Sequence, residues 1–179
     1  MAAPTKLARL SRVMSALSLF GMIVIPALVT AIFLHPDTTQ FLMLRLDHLG
    51  TDLSGRIPLR YRIDALACEA VPLGFTVWAM WSLHRLFANY AQGRVFTPEP
   101  LGHLNNVANA LFLGVLAEFV MQAPISYLLT WYLGPHHRSI SLSFGSNDAA
   151  WLFIAGTVLV IARVMAEARR MADENAAFV

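Results

Sequence analysis

"LFLGVLAEFVMQAPISYLLTWYL", residues 111–133, decides the fold of this chain because it is long and apolar enough to cross a lipid bilayer. Glu118, Gln122 and Pro124 nevertheless lie inside it. A carboxylate in hydrocarbon is costly, so it is expected to face other protein segments or a polar cavity. The stretch therefore predicts a membrane helix with one polar face.

The composition of the whole chain points to the same class of protein. Of its 179 residues, 57% are hydrophobic and 13% are charged, against roughly half and a quarter in a soluble domain. Transmembrane helices are predicted over residues 10–34, 65–86, 107–133 and 149–166. The predicted fold is an all-α integral membrane protein, a four-transmembrane-helix bundle that forms one domain over residues 1–179.

The first apolar segment has two interpretations, since Lys6, Arg9 and Arg12 precede it as they would in a signal peptide. Its uncharged run is about twice as long as the apolar region of a signal peptide, which favours a membrane anchor.

Eight of the 13 Lys and Arg residues fall on the side of the two termini, so both termini are predicted to be cytoplasmic. The basic first outer loop argues against this orientation.

This orientation assigns each connection to one side of the membrane. The extracytoplasmic loops are residues 35–64 and 134–148, the cytoplasmic loop is 87–106, and the cytoplasmic tail is 167–179. In the outer loops, apolar and polar residues alternate in "RIPLRYRI" (56–63) and "SISLSF" (139–144), which predicts a small extracytoplasmic two-stranded cap. A capping box at residues 37–40 predicts a short helix on the outer membrane surface.

The carboxylate of the third span belongs to a stripe of small and polar residues. The stripe repeats every four residues and consists of Ala110, Gly114, Glu118, Gln122 and Ser126. Such a stripe faces protein, where small residues let another helix approach. Candidate partners of Glu118 in this intramembrane polar site are Gln122, Arg163 and His84. The site either locks the helices in register or binds a proton or ligand. Glu69, outside this site, is expected to be interfacial and solvated.

Other kinds of function find no support in the sequence. The chain contains one cysteine and six histidines without metal-ligand spacing, so we predict no metal, no haem and no other cofactor. No catalytic motif is present, which predicts that the protein is not an enzyme. The net charge of +2 is spread over both sides of the membrane, which argues against direct nucleic-acid binding.

The most specific patterns lie in the predicted cytoplasmic segments. "SLHRLFANYAQGRVFTPEPLGHLNNV", residues 82–107, predicts a helix that stops at Gly93 and a new one that begins at Thr97 with Pro98 in its first turn. The tail is predicted to continue the fourth helix into water, ending on an apolar Phe178 and Val179.

These two cytoplasmic segments, together with the four spans, resemble a bacterial family of unknown function, DUF2975. The residues that carry the resemblance are Leu86, Phe87, Tyr90, Gly93, Val95, Phe96 and Thr97, with Asp173, Glu174, Asn175, Phe178 and Val179 at the end. The resemblance implies a multi-pass protein of the bacterial cytoplasmic (inner) membrane and supplies no catalytic residue. Members of this family are often encoded beside helix-turn-helix regulators, which implies a cytoplasmic partner by association.

Two functions of different classes follow. In the first, a regulatory protein docks a cytoplasmic partner through Leu86, Phe87, Tyr90, Gly93, Phe96, Thr97, Glu174, Asn175, Phe178 and Val179. These aromatic residues could equally pack the two inner segments against each other. In the second, the chain is a small carrier that works as a homodimer in the lipid bilayer, with Glu118 as its proton-coupled site.

Overall fold

The computed structural model describes residues 5–35, 57–94, 97–131, 140 and 142–176. Four helices account for nearly all of them: α1 (Thr5–Leu34), α2 (Leu59–Ala91), α3 (Pro98–Thr130) and α4 (Ser146–Ala176). Each contains a stretch long and apolar enough to cross a membrane, namely Lys6–Leu34, Leu59–Ala91, Glu99–Thr130 and Ser146–Met171. The prediction of a helical chain with four membrane-length helices is therefore confirmed.

Consecutive helices run antiparallel, and each packs mainly on its neighbour in sequence, with the most extensive interface between α2 and α3. We call the end where α1 begins, α2 ends, α3 begins and α4 ends the proximal end, and the opposite end the distal end. Within the described residues, α1 and α4 make no extensive contact with each other. The helices therefore pack in the order of the chain, with α1 and α4 at the two ends of the series.

The helices are longer than the hydrocarbon core requires. With 30 to 33 residues each, they measure about 45–50 Å at 1.5 Å per residue, against a hydrocarbon core about 30 Å thick. Pro26, Pro72 and Pro124 lie inside α1, α2 and α3, and all three helices continue past them. Several turns of each helix therefore extend into the headgroup regions or into water.

A core of five buried residues joins α1, α2 and α3 near the distal end. This distal cluster consists of Phe33, Ile57, Tyr61, Ala65 and Leu129. Leu129 and Ala65 have no accessible surface, and the cluster brings the ends of α1 and α3 onto the first two turns of α2. No residue of α4 belongs to it.

The fourth helix begins well short of the distal end. Ser143, three residues before α4, donates its backbone N–H to Oε1 of Gln122 over 2.9 Å, and the Phe144 ring packs edge-on against Phe119. Since α3 continues for eight residues beyond Gln122, about 12 Å, this last part of the described structure at the distal end consists of three helices, α1, α2 and α3. The sequence predicts four spans of similar length and does not indicate that α4 begins short of the end of α3.

The first strand of the predicted two-stranded cap is wrong, because residues 59–63 form the first turn of α2. Ile57 and Tyr61, four residues apart, are 4% and 9% exposed, whereas Leu59 and Ile63 between and beyond them are 55% and 49% exposed. The burial therefore follows the helical period and not the alternation of a strand. The Arg62 side chain donates a hydrogen bond to the His35 carbonyl, which ties the start of α2 to the end of α1.

The second predicted strand has no support either. Residue 140 and residues 142–145 have no regular secondary structure, and no strand occurs in the ranges that the structure describes. Ile140, Leu142 and Phe144 are all exposed, so their apolar alternation does not mark a buried face. The helix predicted from the capping box at residues 37–40 lies outside the described residues.

The connection between α2 and α3 agrees with the pattern of its sequence. Gly93 has a φ of 79°, a left-handed conformation that ends α2, and its N–H bonds to the Tyr90 carbonyl at 3.1 Å. Thr97 occupies the N-cap position of α3, with Pro98 at the start of the helix, but its side chain makes no capping hydrogen bond. The hydroxyl of Thr97 is buried and without a hydrogen-bond partner among the described atoms.

Candidate functional site

Glu118 lies in a partly enclosed cavity of about 390 Å³ to which all four helices contribute. Its lining includes Ile25 of α1, Pro72 and Phe75 of α2, Gly114 and Glu118 of α3, and Trp151 of α4. Most of these side chains are apolar. The predicted polar site on α3 therefore faces a cavity between the helices, at the level where α4 begins.

The small residues of the α3 stripe account for the space and for the close helix packing around it. A side chain at Gly114 would place its first carbon 3.4 Å from Cβ of Phe75, so α2 and α3 approach closely there. Ala110 and Ser126 on the same stripe are almost fully buried. The stripe therefore faces protein along its length, and the cavity lies beside it at Glu118.

Gln122 binds the segment that precedes α4. Its side-chain oxygen accepts the backbone N–H of Ser143 at 2.9 Å and lies 3.5 Å from the Ser143 hydroxyl. This segment has no regular structure, so its backbone groups need partners from side chains. Asp148 supplies another one, since its Oδ2 accepts the Gly145 N–H at 2.8 Å.

Arg163 is not brought near Glu118. Trp151 lines the cavity on α4, and Arg163 follows it twelve residues later, which is about 18 Å along the helix. Its side chain is exposed. Along the helix axis, Arg163 therefore lies on the proximal side of the cavity.

His84 joins α1 to α2 at the proximal edge of the cavity. Its Nδ1 lies 3.0 Å from Oγ of Ser15 and 3.1 Å from the Ser15 carbonyl oxygen, so the imidazole and the first helix share a polar contact. Met80, one turn away on α2, lines the cavity, whereas His84 does not. The histidine therefore holds α1 in place beside the site.

Glu69 corrects another expectation from the sequence. It is 7% exposed, and with Arg62, Ala65 and Pro72 it follows the buried face of α2. The prediction of a solvated Glu69 is wrong because the spacing of these residues turns the carboxylate toward protein.

In the part of the chain that the structure describes, no group of three His, Cys, Asp or Glu side chains is arranged to hold a metal ion.

The residues predicted to dock a partner lie at the proximal end where the structure describes them. Leu86 is buried, and Phe87 packs edge-on against Tyr90 with ring centroids 6.4 Å apart. Glu174 is exposed on the last turns of α4 and pairs with Arg170 at 3.7 Å. Asn175 belongs to the last turn of α4. Phe96, Phe178 and Val179 lie outside the described residues.

The sequence could not reveal three features of this region. The contact between Ser15 and His84 joins residues 69 positions apart, the contribution of Trp151 depends on where α4 begins, and the burial of Glu69 depends on the rotation of α2. Each is a consequence of tertiary packing. For the contact of Ser15, a local signal is present in the sequence, because Ser11, Ser15 and Ser18 are spaced at three and four residues on one face of α1, and all three are buried.

Four antiparallel helices of membrane-spanning length and apolar composition, with a polar site between them, define a multi-pass helical membrane protein. Within that class, residues 34–179 match the family described as "Protein of unknown function (DUF2975)", and the chain belongs to this family. The match begins at the last residue of α1. Searches of curated proteins and of solved structures found no match.

Proposed function

We propose that this protein is a non-enzymatic regulatory module of the inner membrane that docks a cytoplasmic partner, such as a helix-turn-helix regulator, at its proximal end. The projection of α4 carries the proposal. From Asn147, which lines the same cavity as Glu118, α4 continues for 29 residues, whereas α3 begins 20 residues before Glu118. The end of α4 therefore extends about 14 Å beyond the start of α3.

The projecting part of α4 is suited to remain helical in water. Arg170 pairs with Glu167 at 2.6 Å and with Glu174 at 3.7 Å, at the i, i+3 and i, i+4 spacings that support exposed helices. Met171, beside these charges, is 51% exposed. An exposed helix with a flexible apolar side chain and mixed charges fits docking into a groove of a soluble partner.

The sidedness of the membrane is part of this proposal. We place the proximal end in the cytoplasm because eight of the 13 Lys and Arg residues belong to it. A fluorescent protein that folds only in the cytoplasm, fused after Val179, is expected to fluoresce. A fused phosphatase that folds only outside the cytoplasm would be active instead if the orientation were reversed.

Docking through the tail is tested by crosslinking in cells at native expression, followed by affinity purification and mass spectrometry. Three forms are compared: the full chain, a chain without residues 174–179, and a chain in which Gly and Ser replace these six residues. The full chain alone is expected to capture a helix-turn-helix protein, which should then bind the purified full chain and neither variant. Capture by all three forms, or by none, would contradict docking through the tail.

A second candidate function, a small proton-coupled carrier, is supported by the cavity at Glu118. All four helices line the cavity, and α1 and α4 make no extensive contact with each other in the described residues. Four helices alone offer a short pathway, so a homodimer would be required. The alternative is that Glu118 only stabilises the packing of the helices.

The carrier is tested by pH-driven uptake into vesicles that contain the purified protein. Glu118→Gln is expected to abolish uptake while the chain still inserts and elutes as one species. Glu167→Gln, an exposed carboxylate outside the cavity, serves as the matched control and should transport normally. Absence of pH-dependent flux in the unaltered protein, with aggregation of Glu118→Gln, would show that the residue is structural.

A further inference from the structure

We propose that the cavity at Glu118 is a binding site for a lipophilic organic cation that enters from the bilayer. The proposal goes beyond docking at the proximal end and does not depend on it. It does name a substrate class for the carrier, the second candidate function. Shape, charge and access of the cavity each support this class of ligand.

The shape of the cavity suits a small organic molecule. Its volume of about 390 Å³ lies within the range of about 300–1,000 Å³ typical of ligand sites in proteins. Ala79, Ala110 and Gly114 contribute little side-chain volume to the lining, which leaves space between the helices. A single water or metal ion would leave most of this space unfilled.

The charge of the lining selects a cation. Among the described residues that line the cavity, Glu118 is the one carboxylate, and none is a Lys, Arg or His. Thr76, another polar group of the lining, already donates its hydroxyl to the Pro72 carbonyl at 3.2 Å. A carboxylate in such apolar surroundings gains most from a positively charged group. The proposal does not require Glu118 to lack contacts within the protein.

The aromatic lining favours an organic cation over a hydrated metal ion. Phe75 of α2 and Trp151 of α4 both line the cavity. Aromatic faces attract cations that have shed their water, and diffuse ammonium or phosphonium groups do this at low cost. The apolar body of such a ligand would contact the alanines and Gly114 while its charge lies near Glu118.

Access to the cavity is expected from the side of the membrane. Ile25 of α1 and Trp151 of α4 both line the cavity, yet these two helices make no extensive contact with each other in the described residues. The cavity is only partly enclosed, and we expect its opening to lie between these two helices. A ligand that partitions into the bilayer could therefore reach Glu118 without crossing water.

The test measures binding of radiolabelled tetraphenylphosphonium to the purified full chain in phosphatidylcholine nanodiscs. Saturable binding is expected, and Glu118→Gln should weaken it by about tenfold or more because the cation loses its charged partner. Glu118→Asp, which keeps the charge, should retain part of the affinity, and Glu167→Gln should bind as the unaltered chain does. Val115→Trp, which fills the cavity from α3, should block binding.

Each variant is checked for a monodisperse elution profile and unchanged helical circular dichroism, so loss of binding is separated from misfolding. The proposal is overturned if the unaltered chain shows no saturable binding, or if Glu118→Gln and Val115→Trp bind equally well. Equal binding of neutral triphenylphosphine oxide would overturn it too, since the site would then be an apolar crevice. Binding without proton-coupled uptake would reject the carrier alone, and uptake without tetraphenylphosphonium binding would reject this proposal alone.

Discussion

Leu129→Ala is expected to lower the free energy of unfolding by about 2 kcal/mol, because it removes the centre of the distal cluster. Leu129 is fully buried between Phe33 of α1 and Tyr61 and Ala65 of α2. In a bilayer the unfolded helices also lie in an apolar medium, so most of this loss is packing and not transfer from water. Unfolding in mixed micelles by SDS, followed by tryptophan fluorescence, measures the change.

Leu116→Ala is the matched control for this prediction. Leu116 lies on the same helix and is exposed on the lipid-facing side, where acyl chains can fill the space that the substitution leaves. Its expected effect is below about 0.5 kcal/mol. Equal effects of the two substitutions would contradict the distal cluster as the core that joins α1, α2 and α3.

Gln122→Leu is expected to cost about 2 kcal/mol, since the Ser143 N–H would lose its acceptor in a segment without regular structure. The loss should be local at first. In the variant, backbone N–H groups of residues 142–145 should therefore exchange with solvent faster than in the unaltered chain, whereas those of α2 should exchange at an unchanged rate. Hydrogen exchange with mass spectrometry, together with the SDS titration, measures both consequences.

Ser143→Ala separates the backbone contact from the side-chain contact. The substitution removes the hydroxyl, which lies 3.5 Å from Oε1 of Gln122, but keeps the N–H that donates at 2.9 Å. We expect a change below about 0.5 kcal/mol. If Ser143→Ala were as harmful as Gln122→Leu, the backbone hydrogen bond would not be the feature that holds this segment on α3.

The number and type of the membrane helices could be predicted because they depend on local composition. An apolar run of about 20 residues must satisfy its own backbone in lipid, and only a helix does so within one segment. The end of α2 was equally local, since Gly93 adopts a conformation that most residues avoid. These properties require no knowledge of neighbouring segments.

The prediction of a two-stranded cap was wrong because the local pattern of its first strand also fits a helix. In "RIPLRYRI", Ile57, Leu59, Tyr61 and Ile63 satisfy a period of two, but Ile57 and Tyr61 also satisfy a period of nearly four. Only the packing against Phe33 and Leu129 decides between the two patterns, and it selects the helix. Short apolar patterns next to a membrane helix therefore need tertiary contacts for their assignment.

The candidate site was predicted in part. The stripe on α3 indicated correctly that its residues face protein, since Ala110 and Ser126 are buried and Gly114 lies against Phe75. The residues that line the cavity with Glu118 could not be predicted, because they depend on how far each helix is shifted along its axis relative to the others. Arg163 would have been near Glu118 only if α4 lay farther toward the distal end.

The position of α4 along the axis of α3 determines the cavity, the projecting end of α4 and the role of Gln122. It is tested most directly by crosslinking pairs of introduced cysteines in membranes, in a chain where Cys68 is replaced by Ala. Phe119→Cys with Phe144→Cys is the predicted pair, because these rings lie 6.2 Å apart. Tyr127→Cys with Phe144→Cys is the comparison pair, two turns farther toward the distal end of α3.

A thiosulfonate crosslinker with a span of a few ångströms joins only cysteines that are close together. The structure predicts rapid crosslinking within one chain for the pair at 119 and 144, and little for the pair at 127 and 144. The reverse result would place the start of α4 near the distal end, and it would remove the arrangement that forms the cavity around Glu118.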